Sequence, residues 1–299
     1  MYESFYGLRE RPFDLTPNPR YLFLTNKHRE ALSHLQYGVG GRKGITVLVG
    51  EAGTGKTTLV HAALEQQRGQ NAATVYMSNP MVTRSEFIEF LSWGFGLDPG
   101  GQLSKTRFLL DLTRTLVERL EAGGSSALII DEAQCLSHDL LEEIRLLSNI
   151  ETAVDKLLPV VLVGQPELAD RLNEPSLRQL KQRVALRCTL PPLDAAETAA
   201  YIANRLAVAG TDRQVFTAGA IDSIFEHSGG IPRTISVICD NALVSGFAAD
   251  ERSITRQTVL EVCRDFDLRP DAAVAQGALA DAAATPSARS SFFEMDLLT

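Results

Sequence analysis

The sequence predicts an α/β core built on a mainly parallel five-stranded sheet, followed by a small all-helical domain and a disordered C-terminal tail. Three observations carry that expectation. Short apolar runs alternate with helical patterns over the first two thirds of the chain, which forces crossover connections and hence parallel pairing. Once Pro191-Pro192 breaks the chain, helical periodicity alone runs from Asp194 to about Phe266. From Arg269 to Thr299 the text turns to Ala, Ser, Asp, Gly and Pro, a composition that buries too little apolar surface to offset ordering entropy.

The chain opens with a turn-rich stretch, Arg11-Pro12-Phe13-Asp14-Leu15-Thr16-Pro17-Asn18-Pro19-Arg20, and a helical stretch from about Asn26 to Tyr37. Phe5, Phe13, Tyr21 and Phe23 are too many aromatics for a loose tail, so residues 1–43 read as an ordered strap and helix. Ile45-Thr46-Val47-Leu48-Val49 then ends in glycine ahead of a helical pattern, as a buried parallel strand feeding a helix does. The alternation repeats through Ala73–Met77, helices near 83–95 and 104–122, Ala127–Ile130, a helix near 137–150, Leu158–Val163 and a fifth strand near 185–190. The expected boundaries are a strap and helix over 1–43, the α/β domain over 44–192, the helical lid over 193–268 and the tail over 269–299. Within the tail, Phe292-Phe293-Glu294-Met295-Asp296-Leu297-Leu298 is an apolar and acidic exception suited to docking as a short helix or strand.

Composition narrows the function. Of 299 residues 44% are hydrophobic and 22% charged, ordinary globular usage. Lys and Arg number 29 against 37 Asp and Glu, and the net charge of −8 disfavours generic binding to phosphate polymers. Cys135, Cys188, Cys239 and Cys263 form no C-x-x-C pair and have no His at metal-ligand spacing, so reduced, buried thiols are expected. The N-terminus lacks a basic segment followed by an apolar stretch, and no run approaches the ~18 apolar residues of a membrane span. A cytoplasmic protein is the expectation.

Gly50-Glu51-Ala52-Gly53-Thr54-Gly55-Lys56-Thr57, followed by Thr58, matches G-x-x-x-x-G-K-[ST] and lies between a predicted strand and a predicted helix. Glycines let the backbone curl so that successive N–H groups cradle phosphate oxygens, with the helix N-terminus adding its dipole. Lys56 is positioned to bridge β- and γ-phosphates, and Thr57 to offer its hydroxyl to Mg²⁺. Asp131, closing the apolar run Leu128-Ile129-Ile130, is the second expected support for the metal, and Glu132 the group that orients or deprotonates the attacking water. Strand ends of a parallel sheet converge on the ligand, so Gln165 is expected near the γ-phosphate and Asn79 within reach of Glu132. Arg178 and Arg183, before the fifth strand, are candidates to neutralise transition-state charge on a neighbouring subunit's γ-phosphate. Arg233, in Gly229-Gly230-Ile231-Pro232-Arg233, opens a lid helix and is placed to sense nucleotide across the domain gap.

With these residues the chain resembles the AAA+ ATPases and, more narrowly, the general secretion pathway protein A (ExeA-type) family. The resemblance covers roughly residues 1–268. It is carried by Arg11-Pro12-Phe13 with Pro17-Asn18-Pro19, His28-Arg29-Glu30-Ala31-Leu32 before Tyr37-Gly38, the phosphate loop, and Asp131-Glu132-Ala133-Gln134. Glu142–Asn149, Leu162-Val163-Gly164-Gln165-Pro166-Glu167-Leu168, Tyr201-Ile202 with Arg205-Leu206, Ala209-Gly210 and Gly230–Arg233 continue it.

The resemblance implies ATP as the nucleotide and a homo-oligomer, ring or filament, with sites at subunit interfaces. It also implies Gln165 as sensor 1, Arg183 as the arginine finger and Arg233 as sensor 2. Secretion members of the family continue into a membrane segment and a peptidoglycan-binding domain, and neither is legible in these 299 residues. The expectation is therefore a Mg²⁺-dependent ATP hydrolase serving a secretion, pilus or exopolysaccharide-export machine through a protein partner. The alternative is a nucleotide switch that oligomerises on DNA, as related transposition regulators do.

Overall fold

The computed structural model describes residues 1–16, 18–41, 43–67, 71–97 and 104–270. The strap's Pro17 and the tail from residue 271, with its Phe292–Leu298 segment, lie outside them.

Five strands form one sheet: β1 Ile45–Gly50, β2 Ala72–Met77, β3 Ser125–Ile130, β4 Val160–Gly164 and β5 Val184–Leu190. Their order is β2-β3-β4-β1-β5, and every pairing is parallel, with Val47 facing Leu162 on one side and Arg187 on the other. Crossover helices cover both faces. α2 Asn26–Gly40 and α3 Lys56–Gln67 lie on one face, where Leu35 and Leu59 pack with Leu48, Ile129 and Val163. α4 Arg84–Phe95, α5 Lys105–Glu121, α6 His138–Leu147, α7 Pro166–Leu172 and α8 Arg178–Lys181 lie on the other, over Val47, Leu128, Ile130 and Leu162. Residues alternate between the two cores along each strand, the period of two that β geometry imposes. Burial on both faces explains why β1 reads as an unbroken apolar run.

Start signals hold the helices in place. Thr83 with Glu86 and Asp194 with Glu197 form capping boxes, and α7 and the later helix opened by Pro232 carry proline in their first turn. The lid comprises α9 Ala195–Val208, α10 Ala218–Ser228, α11 Pro232–Ala248 and α12 Arg256–Asp265.

The stretch 1–43, expected as a strap and helix, divides between two cores. α2 joins the sheet, whereas Tyr2, Tyr6 of the short α1 (Glu3–Tyr6), Leu8, Phe13 and Tyr21 join the lid's core. Aromatic complementarity is the physical reason. Phe13 meets Phe216 edge to face at 6.0 Å, Phe5 meets Phe247 at 5.4 Å, and the Tyr2 hydroxyl donates to Asp240. Cys188, Cys239 and Cys263 are buried free thiols, but Cys135 is exposed, because it sits on the turn after β3 rather than on a packed helix face.

Candidate active site

The loop between β1 and α3 is held in a shape that only its glycines allow. Gly53 and Gly55 take left-handed backbone angles of φ 83° and 97°. A Cβ at Gly50 would lie 2.6 Å from the carbonyl oxygen of Leu190, so the start of the loop is wedged against β5. Lys56 is buried at 5% exposure, and its Nζ donates to the carbonyl oxygens of Gly50 at 2.8 Å and Glu51 at 2.9 Å. Burial pushes the Lys56 ammonium below its usual pKa, while Glu132 and Asp131 oppose that shift. The loop therefore stores a cation over its own carbonyls.

Thr57, one residue into α3, donates through Oγ1 to Asp131 Oδ2 at 2.6 Å, bringing together the two expected metal supports from positions 74 residues apart. The Tyr76 hydroxyl donates to the same oxygen at 3.1 Å, and burial together with Asp131 raises its pKa. Sequence reasoning missed Tyr76, whose position inside β2 reads as core. Among the described residues no group of three or more His, Cys, Asp and Glu is arranged to hold a metal alone. One carboxylate and one hydroxyl suit Mg²⁺, a hard cation that keeps several waters and shares phosphate oxygens.

Asp131 Oδ1 accepts from the backbone N–H of Glu132 at 2.9 Å, and Glu132 itself takes φ 50°, a left-handed angle unfavourable for a residue with a Cβ. That turn swings the Glu132 side chain onto the cleft wall. There its Oε2 accepts from Gln134 Nε2 at 2.6 Å and Gln165 Nε2 at 3.4 Å. Gln165 caps α7 without a side-chain cap bond, and its backbone N–H donates to Gln134 Oε1 at 3.1 Å. Asn79 departs from expectation. Its Oδ1 accepts from the Met81 N–H at 3.1 Å, so it closes its own turn on the exposed surface while two glutamines occupy Glu132.

A cleft of about 600 Å³ runs from this loop to the lid. Ala52 to Leu59 and Glu132 line its phosphate end; Tyr21, Leu22, Phe23, Leu193, Tyr201 and Arg205 line the other. The Arg205 guanidinium stacks on the rings of Tyr21 at 5.1 Å and Tyr201 at 5.2 Å, and Nη1 donates to the carbonyl oxygen of Pro12 at 2.9 Å. Phe23 meets Tyr201 edge to face at 5.8 Å. The strap is thus one wall of the cleft. His28 stands against the loop, its Nδ1 2.8 Å from Thr25 Oγ1, and burial lowers its pKa. His28, Tyr201 and Arg205 lie in blocks that carry the family resemblance, yet nothing in those blocks assigns them to the cleft; the aromatic density of the strap was the signal that it packs on something.

Arg233 sits where the sequence expects it, in the first turn of α11 at the cleft mouth, and its backbone N–H donates to the carbonyl oxygen of Gly53 at 3.2 Å. Arg183 precedes β5, and its carbonyl oxygen accepts from Ile45 at the start of β1. The six residues of β1, at ~3.3 Å each, place it roughly 20 Å from the phosphate loop, across the length of the sheet. Arg178 is exposed on α8 at the same end.

The fold is that of an AAA domain with a P-loop, and a family profile described as an AAA domain matches residues 39–172. In sequence the chain is similar to General secretion pathway protein A. It is 44% identical to that protein of Aeromonas hydrophila over 255 residues, which is 85% of this chain and 46% of the relative. It thus spans about half the length of the relative it matches. Among solved structures, Cdc6p of Pyrobaculum aerophilum superposes with a TM-score of 0.66 at 18% identity, over 85% of this chain and 70% of that one. ORC1 of Aeropyrum pernix, in complex with DNA, superposes with a TM-score of 0.64 at 17% identity, over 87% and 70%. At those identities the likeness concerns the fold. Among the described residues no helix is long and apolar enough to cross a membrane.

Proposed function

We propose that this chain hydrolyses ATP with Mg²⁺ at interfaces between its own copies and couples the cycle to a cell-envelope machine for secretion, pilus assembly or exopolysaccharide export. The observation that carries this reading is the 2.6 Å Thr57–Asp131 hydrogen bond beside buried Lys56, with Glu132 on the same cleft wall. The loop N–H groups from Gly50 to Thr58 hold the phosphates, and Lys56 exchanges the two carbonyls it now bonds for phosphate oxygens. Thr57 and Asp131 hold Mg²⁺, which supplies neutralisation of phosphate charge. Glu132 accepts the proton of the attacking water, Gln165 faces the γ-phosphate, and Arg233 follows closure of the lid.

Arg183 is the proposed finger. It cannot reach its own loop from the far end of the sheet, so it serves the neighbouring copy, and Arg178 is the runner-up for that role. Supplied in trans, such a group contributes on the order of 10³ to 10⁵ in rate and much less to ground-state binding. Arg183→Ala is therefore expected to keep ATP affinity and lose turnover, while mixing it with Lys56→Ala restores part of the activity. Wild-type activity that is independent of protein concentration, together with no rescue in the mixture, would overturn assembly at the interface.

The envelope role rests on the 44% identity to General secretion pathway protein A. A second reading, a nucleotide switch on DNA, draws on the exposed cations Arg178, Lys181 and Arg187 and on the DNA named with one structural neighbour. The net charge of −8 stands against it. Retention of DNA that weakens steeply with salt and requires ATP would favour that second reading.

A further inference from the structure

Asn79, on the turn after β2, leaves Glu132 to other partners. We infer that Gln134 is the positioning residue for the Glu132 carboxylate and ties it to β4, an assignment that rests on the hydrolytic reading above. One amide makes both ends of the link. Gln134 Nε2 donates to Glu132 Oε2 at 2.6 Å, and Gln134 Oε1 accepts from the backbone N–H of Gln165 at 3.1 Å. The short turn Ala133–Cys135 that carries Gln134 is pinned in its turn. Arg171 of α7 donates through Nη1 to the carbonyl oxygens of Gln134 at 2.6 Å and Leu136 at 2.7 Å.

The fit leaves no slack, because a Cβ on Gly164 would lie 2.8 Å from Gln134 Oε1. Glu132 needs such a brace. Its left-handed backbone does not select one side-chain direction by itself, and the carboxylate Oε1 must stay free while Oε2 is held. Gln165 Nε2, at 3.4 Å from the same Oε2, is too long to do this alone. The consequence is mechanical. Any shift of Gln165 at the end of β4 reaches Glu132 through the Gln134 amide as well as through the longer direct bond, so the state of that end of β4 and the direction of the base are coupled.

Two substitutions separate positioning from scaffolding. Gln134→Ala removes both bonds and is expected to lower kcat by about 10-fold to 100-fold, the scale of a base displaced by an ångström, with ATP Kd and melting temperature essentially unchanged. Gln134→Glu keeps the shape and the acceptor but sets a second carboxylate against Glu132 Oε2. At neutral pH its kcat is expected to fall at least as far.

Wild-type kcat in both variants, or equal losses in kcat and nucleotide affinity, would overturn the assignment. Failure of the hydrolytic reading looks different: the wild type itself would lack Mg²⁺-dependent turnover, or Glu132→Gln would leave it intact, and both claims would then fall together.

Discussion

The two ends of the nucleotide cleft are built by opposite means. The phosphate end takes nine consecutive residues, Gly50 to Thr58, and one strand-end pair, Asp131 and Glu132. The lid end takes Tyr21 and Phe23 from the strap and Leu193, Tyr201 and Arg205 from the lid, residues about 180 positions apart in the chain. Phosphate recognition is a property of a local backbone shape, so it can be written into a short motif. The lid end is a property of packing, so most of the residues that line it also hold the lid's core together. Substitutions at the first end should alter binding or chemistry while sparing stability, whereas at the second end the two should move together.

The largest separation is expected for Lys56→Ala. Losing the cation should weaken ATP binding by between about 10-fold and 150-fold, the scale of a charged hydrogen bond. The melting temperature should hold or rise, because a buried ammonium leaves an interior that disfavours it. Calorimetric titration beside a thermal melt checks both, and a large drop in stability would erase the distinction between the ends.

Tyr201→Ala tests the other end. Tyr201 is 5% exposed, its hydroxyl lies 2.9 Å from Ser236 Oγ, and it stacks under Arg205. Truncation should cost about 3–5 kcal/mol and lower the melting temperature by several degrees. Nucleotide affinity should fall by roughly 10-fold, as one hydrophobic wall is lost. Tyr201→Phe, which loses one hydrogen bond of about 1 kcal/mol, should stay near wild type in both measurements. Reduced affinity with an unchanged melt would sink the shared-core account.

The smallest effect concerns His28, which joins the strap's end to the loop. Burial lowers its folded pKa, so the unfolded chain takes up a proton first as the pH falls. The associated stability is fully present above the unfolded value of about 6.5 and declines below it, toward the folded pKa. Melting temperatures at pH 7.5 and 5.5 should therefore differ more for the wild type than for His28→Gln. An equal difference would remove His28 from the pH dependence.

What the sequence made legible follows the same division. The five strands, the crossover helices and the loop were readable because apolar period and glycine spacing are local signals, and Thr57 with Asp131 followed from the geometry of parallel strand ends. The allegiance of the strap was not readable: Phe13 finds Phe216 only after the chain has folded around the lid. Nor was the left-handed turn at Glu132, which hands the carboxylate to Gln134 rather than to Asn79. No residue-type pattern announces a positive φ at a glutamate.

The chemistry itself is tested most directly at Glu132, by measuring Mg²⁺-ATP binding and steady-state hydrolysis on the same preparation of Glu132→Gln. The amide keeps the shape of the carboxylate but cannot accept a proton. Affinity should remain within a few-fold of wild type while turnover falls by about 10² to 10⁴, the range for a general base. Turnover equal to wild type with ATP bound would contradict the assignment of this cleft as a hydrolytic site.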